Sequence, residues 1–252
     1  MPYHNSGPGP VSESHDHPLD DVVVRRMESV ARVLAYALAA LSALVLVSWW
    51  FGIEGLQSFG SGLATMKANA ATAFLCIGLG LVLSNRPTLS RGLGAFAVLI
   101  GGASIIQHLG GFTFGIDELL ATDPSDRHGL MSPATAAGCL FGGLGVVLRD
   151  IPILGSRFYW SEWFGRGCGV LGLLGGLGYA YDVPTLYSMG LFSSMSLPTT
   201  LSLVAIAVSM LAGRPRQGVA SLFAADDSGG RLARRMLPAV LFVPALLGWL
   251  RV

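Results

Sequence analysis

The stretch Met131-Ser-Pro-Ala-Thr-Ala-Ala-Gly-Cys-Leu-Phe-Gly-Gly-Leu-Gly-Val-Val-Leu148 contains no charged residue and runs straight into Arg149-Asp150. It is apolar on every face rather than at alternate positions, so it reads as a helix and not as a barrel strand. Its opening recurs. Met66-Lys-Ala-Asn-Ala-Ala-Thr begins an earlier apolar stretch and Met195-Ser-Leu-Pro-Thr a later one; the three close on Arg86-Pro87, Ile151-Pro152 and Arg214-Pro215. The methionines lie 65 and 64 residues apart, and nine of 22 aligned positions are identical between the first two copies, including Gly78/Gly143 and Gly80/Gly145.

A hydrocarbon core about 30 Å thick takes roughly 20 apolar residues in a helix. Seven stretches meet or approach that length, at 33–53, 64–83, 92–112, 130–148, 167–183, 195–212 and 236–250. The last is the shortest and holds Pro238 and Pro244. Composition agrees: 52% of the 252 residues are hydrophobic and 12% charged, and mean hydropathy is +0.60. Soluble domains are about 25% charged. The expected fold is therefore all-α, a polytopic transmembrane bundle of about seven spans built from repeated helical hairpins of about 65 residues. It occupies 22–252, after a polar tail at 1–21 that reads as disordered and cytoplasmic.

The same arithmetic removes several classes. Hydrophobicity excludes general disorder, the 34 glycines follow no collagen period, and a net charge of +1 argues against nucleic acid as a partner. Three cysteines make no disulfide framework. No Walker loop, Rossmann glycine fingerprint, His-Glu-x-x-His pair or nucleophile elbow is present, so an enzyme is not expected.

Orientation follows from the basic residues. With a cytoplasmic N-terminus, 13 arginines fall on the inner side, against Lys67, Arg127 and Arg251 on the outer side. The positive-inside rule thus supports this orientation and the span count, and seven spans put the C-terminus outside. The scarcity of lysine beside arginine suggests a GC-rich bacterial genome and hence a bacterial inner membrane. Nothing apolar precedes residue 22, so the first span reads as a signal anchor. All copies of the repeat run the same way, unlike the inverted repeats of many transporters.

Glycines inside the stretches supply the packing surface: Gly78, Gly80, Gly138, Gly142, Gly143, Gly145, Gly172 and Gly176, with Gly138/Gly142 and Gly172/Gly176 spaced four apart. In lipid, close backbone approach holds helices together, and surplus small faces receive partner helices. His108, beside Gln107, is the one histidine within a stretch. It reads either as an interfacial residue bonded to a neighbouring helix or water, the commoner case, or as a proton relay or a haem ligand paired with Met66, Met131 or Met195. Asp117, Glu118, Asp123 and Asp126 gather with His128 in one outer loop and, with Asp182, suit either plain solvation or a cation; no EF-hand spacing is present. His15-Asp-His17 has the spacing of a weak metal clip, a pattern that in a tail ordinarily binds nothing. Trp49 and Trp50, and later Tyr159, Trp160 and Trp163, form interfacial aromatic belts where lipid or pigment contact is also conceivable. No cofactor is required by these residues.

The phrases Leu63-Ala-Thr-Met-Lys-Ala-Asn, Phe114-Gly-Ile-Asp-Glu-Leu-Leu, Gly129-Leu-Met-Ser-Pro-Ala-Thr and Asp227-Ser-Gly-Gly-Arg-Leu-Ala-Arg-Arg-Met-Leu-Pro resemble the N-terminal multi-span sensor region of bacterial PAS-containing histidine kinases and diguanylate cyclases. The likeness covers about residues 30–251. It implies a membrane module that feeds a cytoplasmic output domain through a further span beyond Gly248-Trp249-Leu250. This chain stops at Val252, so it is expected to be either the membrane part of such a protein or a stand-alone relative. The functional expectation is a non-catalytic sensor-like module acting through contacts with other membrane proteins and lipids. The alternative is an accessory subunit of a photosynthetic or respiratory complex, and a transporter ranks last.

Overall fold

A computed structural model describes residues 19–60, 63–111, 114–115, 129–156, 158–181 and 195–249. Within them the chain is all-helical, apart from isolated pairings of Leu19 with Ala225 and Pro152 with Tyr159. The helices are α1 (Asp21–Phe51), α2 (Glu54–Ser58), α3 (Ala68–Val82), α4 (Pro87–Gly110), α5 (Pro133–Val147), α6 (Trp160–Tyr181), α7 (Leu197–Ala212), α8 (Gly218–Ala224) and α9 (Ser228–Trp249).

Six of them form three pairs around a common axis. The helices that open the repeat, α3, α5 and α7, touch one another at the centre. Outside them, α1 lies against α3 and α7, α4 against α5 and α3, and α6 against α7 and α5. Each outer helix packs most closely on the inner helix that follows it in the chain. The repeat offsets bring equivalent residues to the axis: a Cβ on Gly142 would lie 2.8 Å from Ile77 Cδ1 and 3.5 Å from Ile206 Cδ1. One layer away Phe74, Cys139 and Leu203 are likewise fully buried equivalents. The result is quasi-threefold, from tandem copies of one helix pair. The closest pairing joins 1 to 3, 4 to 5 and 6 to 7, across the loops that lead to the repeated methionines. The inner-turn hairpin expected from sequence describes the same period with a different starting point.

Close approach explains the glycines. A Cβ on Gly78 would sit 2.9 Å from Ala39 N, and one on Gly143 2.7 Å from Gly94 O and 2.8 Å from Val98 N. Backbone lies on both sides of these contacts, so no side chain can yield to make room. Gly80, Gly138, Gly145 and Gly172 instead face side chains, of Val146, Leu203, Met210 and Val204, which lie too close for a Cβ unless they shift. Gly176 differs: its nearest neighbour, Thr200 Cγ2, is at an ordinary 3.7 Å.

Helix ends differ from the expected spans for local reasons. The α1 helix starts at Asp21, well before residue 33, because the Asp20 carboxylate accepts the N–H groups of Val22 and Val23 at 2.9 and 3.2 Å. Leu19 and Asp20 are therefore placed, Asp20 N–H donating to Ala224 O at 2.8 Å, while the rest of the expected tail, residues 1–18, lies outside the described residues. The α9 helix starts at Ser228 rather than 236, with Asp227 Oδ1 accepting Gly230 N–H at 2.6 Å. The α6 helix takes in Trp160 and Trp163, which sequence placed before the span. By contrast α3, α5 and α7 have only 15, 15 and 16 residues, each opened by an extended N-cap residue after its methionine. At 1.5 Å per residue they reach roughly 22–24 Å. Two helices, α1 and α4, are long and apolar enough to cross a membrane by themselves.

Candidate functional site at the two ends of the bundle

One end of the bundle carries the repeated methionines. In the second and third copies, the residue after methionine is a serine N-cap: Thr135 N–H donates to Ser132 Oγ and Thr199 N–H to Ser196 Oγ, both at 3.2 Å. Each serine hydroxyl also meets its threonine hydroxyl at 2.8 Å. In the first copy Lys67 takes the cap position and makes no side-chain cap bond.

The methionine precedes the cap, so its carbonyl has no partner in the helical ladder and needs one elsewhere. All three find it in the same place, on the preceding outer helix. Trp49 Nε1–H donates to Met66 O at 2.9 Å, His108 Nε2 meets Met131 O at 2.8 Å, and Tyr179 Oη–H donates to Met195 O at 2.7 Å. A carbonyl only accepts, so His108 carries a proton on Nε2. Each of these bonds closes a loop between an outer helix and its inner partner, and all three methionine side chains are 1% exposed. Among the described residues no three His, Cys, Asp or Glu side chains converge as a metal site. Trp50, by contrast, points outward and is 83% exposed. Asp117, Glu118, Asp123 and Asp126, with His128 and Asp182, lie outside the described residues. An open depression of about 580 Å³ beside α2 includes Glu54, Ser58, Phe59 and Thr65 in its lining.

The other end carries the arginines. Asp150, just past α5, holds Arg91 of α4 on Oδ2 at 3.4 Å and Arg214, just past α7, on Oδ1. Arg214 also lies over the Tyr159 ring, 4.6 Å from its centroid. Arg149 packs beside Gly213, and among the described residues its guanidinium makes no ion pair. Burial and then the neighbouring Arg214 lower its pKa below the ordinary arginine value, an effect that Asp150 partly offsets.

Sequence reading overlooked Glu162, in the first turn of α6. Its side chain is 4% exposed, bonded to Arg166 Nη2 at 3.4 Å and to Val219 N–H at 3.1 Å, while Oε1 has no hydrogen-bond partner among the described residues. Arg166 in turn lies 4.8 Å from the Trp163 ring centroid. Gly218, at φ +57°, presses directly on the Glu162 carboxylate. With Asp20–Ala224 and the Arg216–Asp21 pair at 3.3 Å, this ties α8 to the starts of α1 and α6. The available signal was a lone acid among arginines at the start of an apolar stretch.

Cys76, Cys139 and Cys168 are free and buried, as small apolar groups in the helix packing. No family model, no curated protein and no solved structure matches the chain.

Proposed function

We propose that this chain is a non-catalytic integral membrane module of about seven spans, in a bacterial inner membrane, with its arginine end on the cytoplasmic side. The observation that carries this reading is the distribution of polarity. Leu44, Val47, Phe96, Leu99, Val170 and Leu173 on the outer helices are exposed, Leu99 at 68%, while Ser42, Ser104 and Ser202 are buried at 0%. A water-soluble bundle would reverse that arrangement; a lipid-facing one needs it. The short inner helices are shielded by three longer neighbours.

Within that class we favour a sensor-like module. At the methionine end each repeated methionine carbonyl is held by a ring donor of the preceding outer helix, and an open depression lies beside α2, where a ligand can bind. The arginine end hooks α8 to α1 and α6, giving a shift of those helices a route to α9. The resemblance of the sequence to membrane sensor regions of signalling proteins points the same way. A second reading, an accessory subunit of a larger membrane complex, is favoured by Gly92 and Gly102 of α4: a Cβ at either would meet no atom within 4 Å, leaving room for another protein's helix. Transport ranks third because the repeat is parallel.

A mild-detergent pull-down from native membranes, with mass spectrometry and an absorption spectrum of the eluate, tests the choice. Association with a kinase or cyclase output domain supports the sensor. A coloured, stoichiometric complex supports the subunit, and a chain that runs alone counts against both.

A further inference from the structure

We propose that the arginine end carries a binding site for the phosphate of an anionic phospholipid, built on Arg149 and Arg214 and flanked by Arg91; the lipid assignment rests on the membrane reading above. Two guanidinium groups, Arg91 from the start of α4 and Arg214 from just past α7, meet one carboxylate, Asp150, and a third, Arg149 from the end of α5, lies near them without an ion pair among the described residues. Both carboxylate oxygens are taken, by Arg91 and Arg214, so the cluster keeps two positive charges in excess. Arg149 holds one of them. It is half-buried against Gly213 with a like charge beside it, which is unfavourable unless an anion completes the site. A phosphate has the geometry for this, since its oxygens accept paired N–H donors from planar guanidinium groups.

The apolar rim argues for a lipid as the source of that phosphate. The turn between α5 and α6 is pinned by Ile153 N–H to Phe158 O at 2.9 Å and by the Pro152–Tyr159 pairing. It turns Ile151 and Leu154 outward, Leu154 at 100% exposure, and Phe158 and Trp160 are also exposed. Tyr159, from the same turn, is the ring under Arg214. A cationic cluster with an apolar lip matches a headgroup phosphate with its acyl chains alongside. Nearby, Glu162 is paired with Arg166, and Arg216 with Asp21.

The test is native mass spectrometry of the detergent-solubilised full chain, titrated with phosphatidylglycerol or phosphatidylcholine. Phosphatidylglycerol binding is expected to be at least about tenfold tighter, and R149Q to lose about that factor while R149K, which keeps the charge but not the paired donors, recovers part of it. The exposed pair on α1 provides the control, and R25Q/R26Q is expected to leave binding unchanged. Each variant's melting temperature in phosphatidylcholine shows whether it is folded. Equal binding of the two lipids overturns the site, as does a loss in R25Q/R26Q that R149Q does not share. Inorganic phosphate that displaces the lipid and stabilises the chain equally overturns the lipid assignment in favour of a soluble anion. Failure of the membrane reading is seen separately, as a chain that stays in solution without detergent.

Discussion

His108 Nε2 lies 2.8 Å from the carbonyl oxygen of Met131, and this contact is one of three equivalents that repeat around the bundle. The partners at the other two, Trp49 and Tyr179, have nothing in common with histidine except an N–H or O–H at the end of a flat ring. The repeat therefore preserves a bond rather than a residue.

Removing one of these donors should cost the net value of a single hydrogen bond. Tyr179→Phe deletes only the hydroxyl and is expected to destabilise the folded chain by about 1 kcal/mol, more if the carbonyl is left dry. His108→Leu should behave similarly, and His108→Gln, which retains a donor, should recover part of the loss. Thermal unfolding in detergent measures all three. If His108 instead served a cofactor, Gln would be as damaging as Leu and an absorption band would vanish with either.

Glycine substitutions should separate internal faces from vacant ones. Gly143→Ala drives a methyl group into the backbone of Gly94 and Val98 and is expected to cost about 1–3 kcal/mol. Gly102→Ala meets nothing and is expected to be neutral or to stabilise by up to about 1 kcal/mol, as alanine favours helix. Paired melting curves decide this. A Gly102→Ala variant that is stable yet loses a co-purifying protein would place a partner on α4.

The hook on α8 should open when its carboxylate is removed. Glu162→Ala leaves Val219 N–H without its acceptor and Arg166 without its ion pair, a loss of about 1–3 kcal/mol localised to α8. Gly218→Ala should act similarly, because at φ +57° a side chain is strained and this one collides with Glu162. Limited trypsinolysis is the check: cleavage after Arg216 and Arg231 should accelerate in both variants, with the α3–α7 fragment unaffected.

Helical class and the period of the repeat were legible in the sequence because both depend on strong local signals, long apolar runs and a recurring methionine opening, Met-x-x-x-Thr in two of the three copies. The threefold arrangement was not. A tandem period has no inherent starting point, and only packing shows that α4 pairs more closely with α5 than with α3. Helix starts were misplaced where hydropathy was read without caps: Asp20 and Asp227 each begin a helix several residues before the apolar run does. Glu162 and Asp150 escaped notice because a lone acid beside several arginines looks like a solvated end. What marks Glu162 is burial, and what marks Asp150 is the pair of arginines that share it, and both depend on residues distant in the chain. The closeness of Gly78 to Ala39 is of the same kind, for the glycine was visible but its neighbour was not.

The most direct test of a membrane module with its arginine end in the cytoplasm is cysteine accessibility across the bundle. The native cysteines are buried, so reporters at Glu54→Cys, on the methionine end, and Ser156→Cys, on the arginine end, can be read against a quiet background. A membrane-impermeant maleimide applied to intact spheroplasts is predicted to label Glu54→Cys at once and Ser156→Cys only after permeabilisation. Equal labelling of the two before permeabilisation, or recovery of the chain in the soluble fraction, would contradict it.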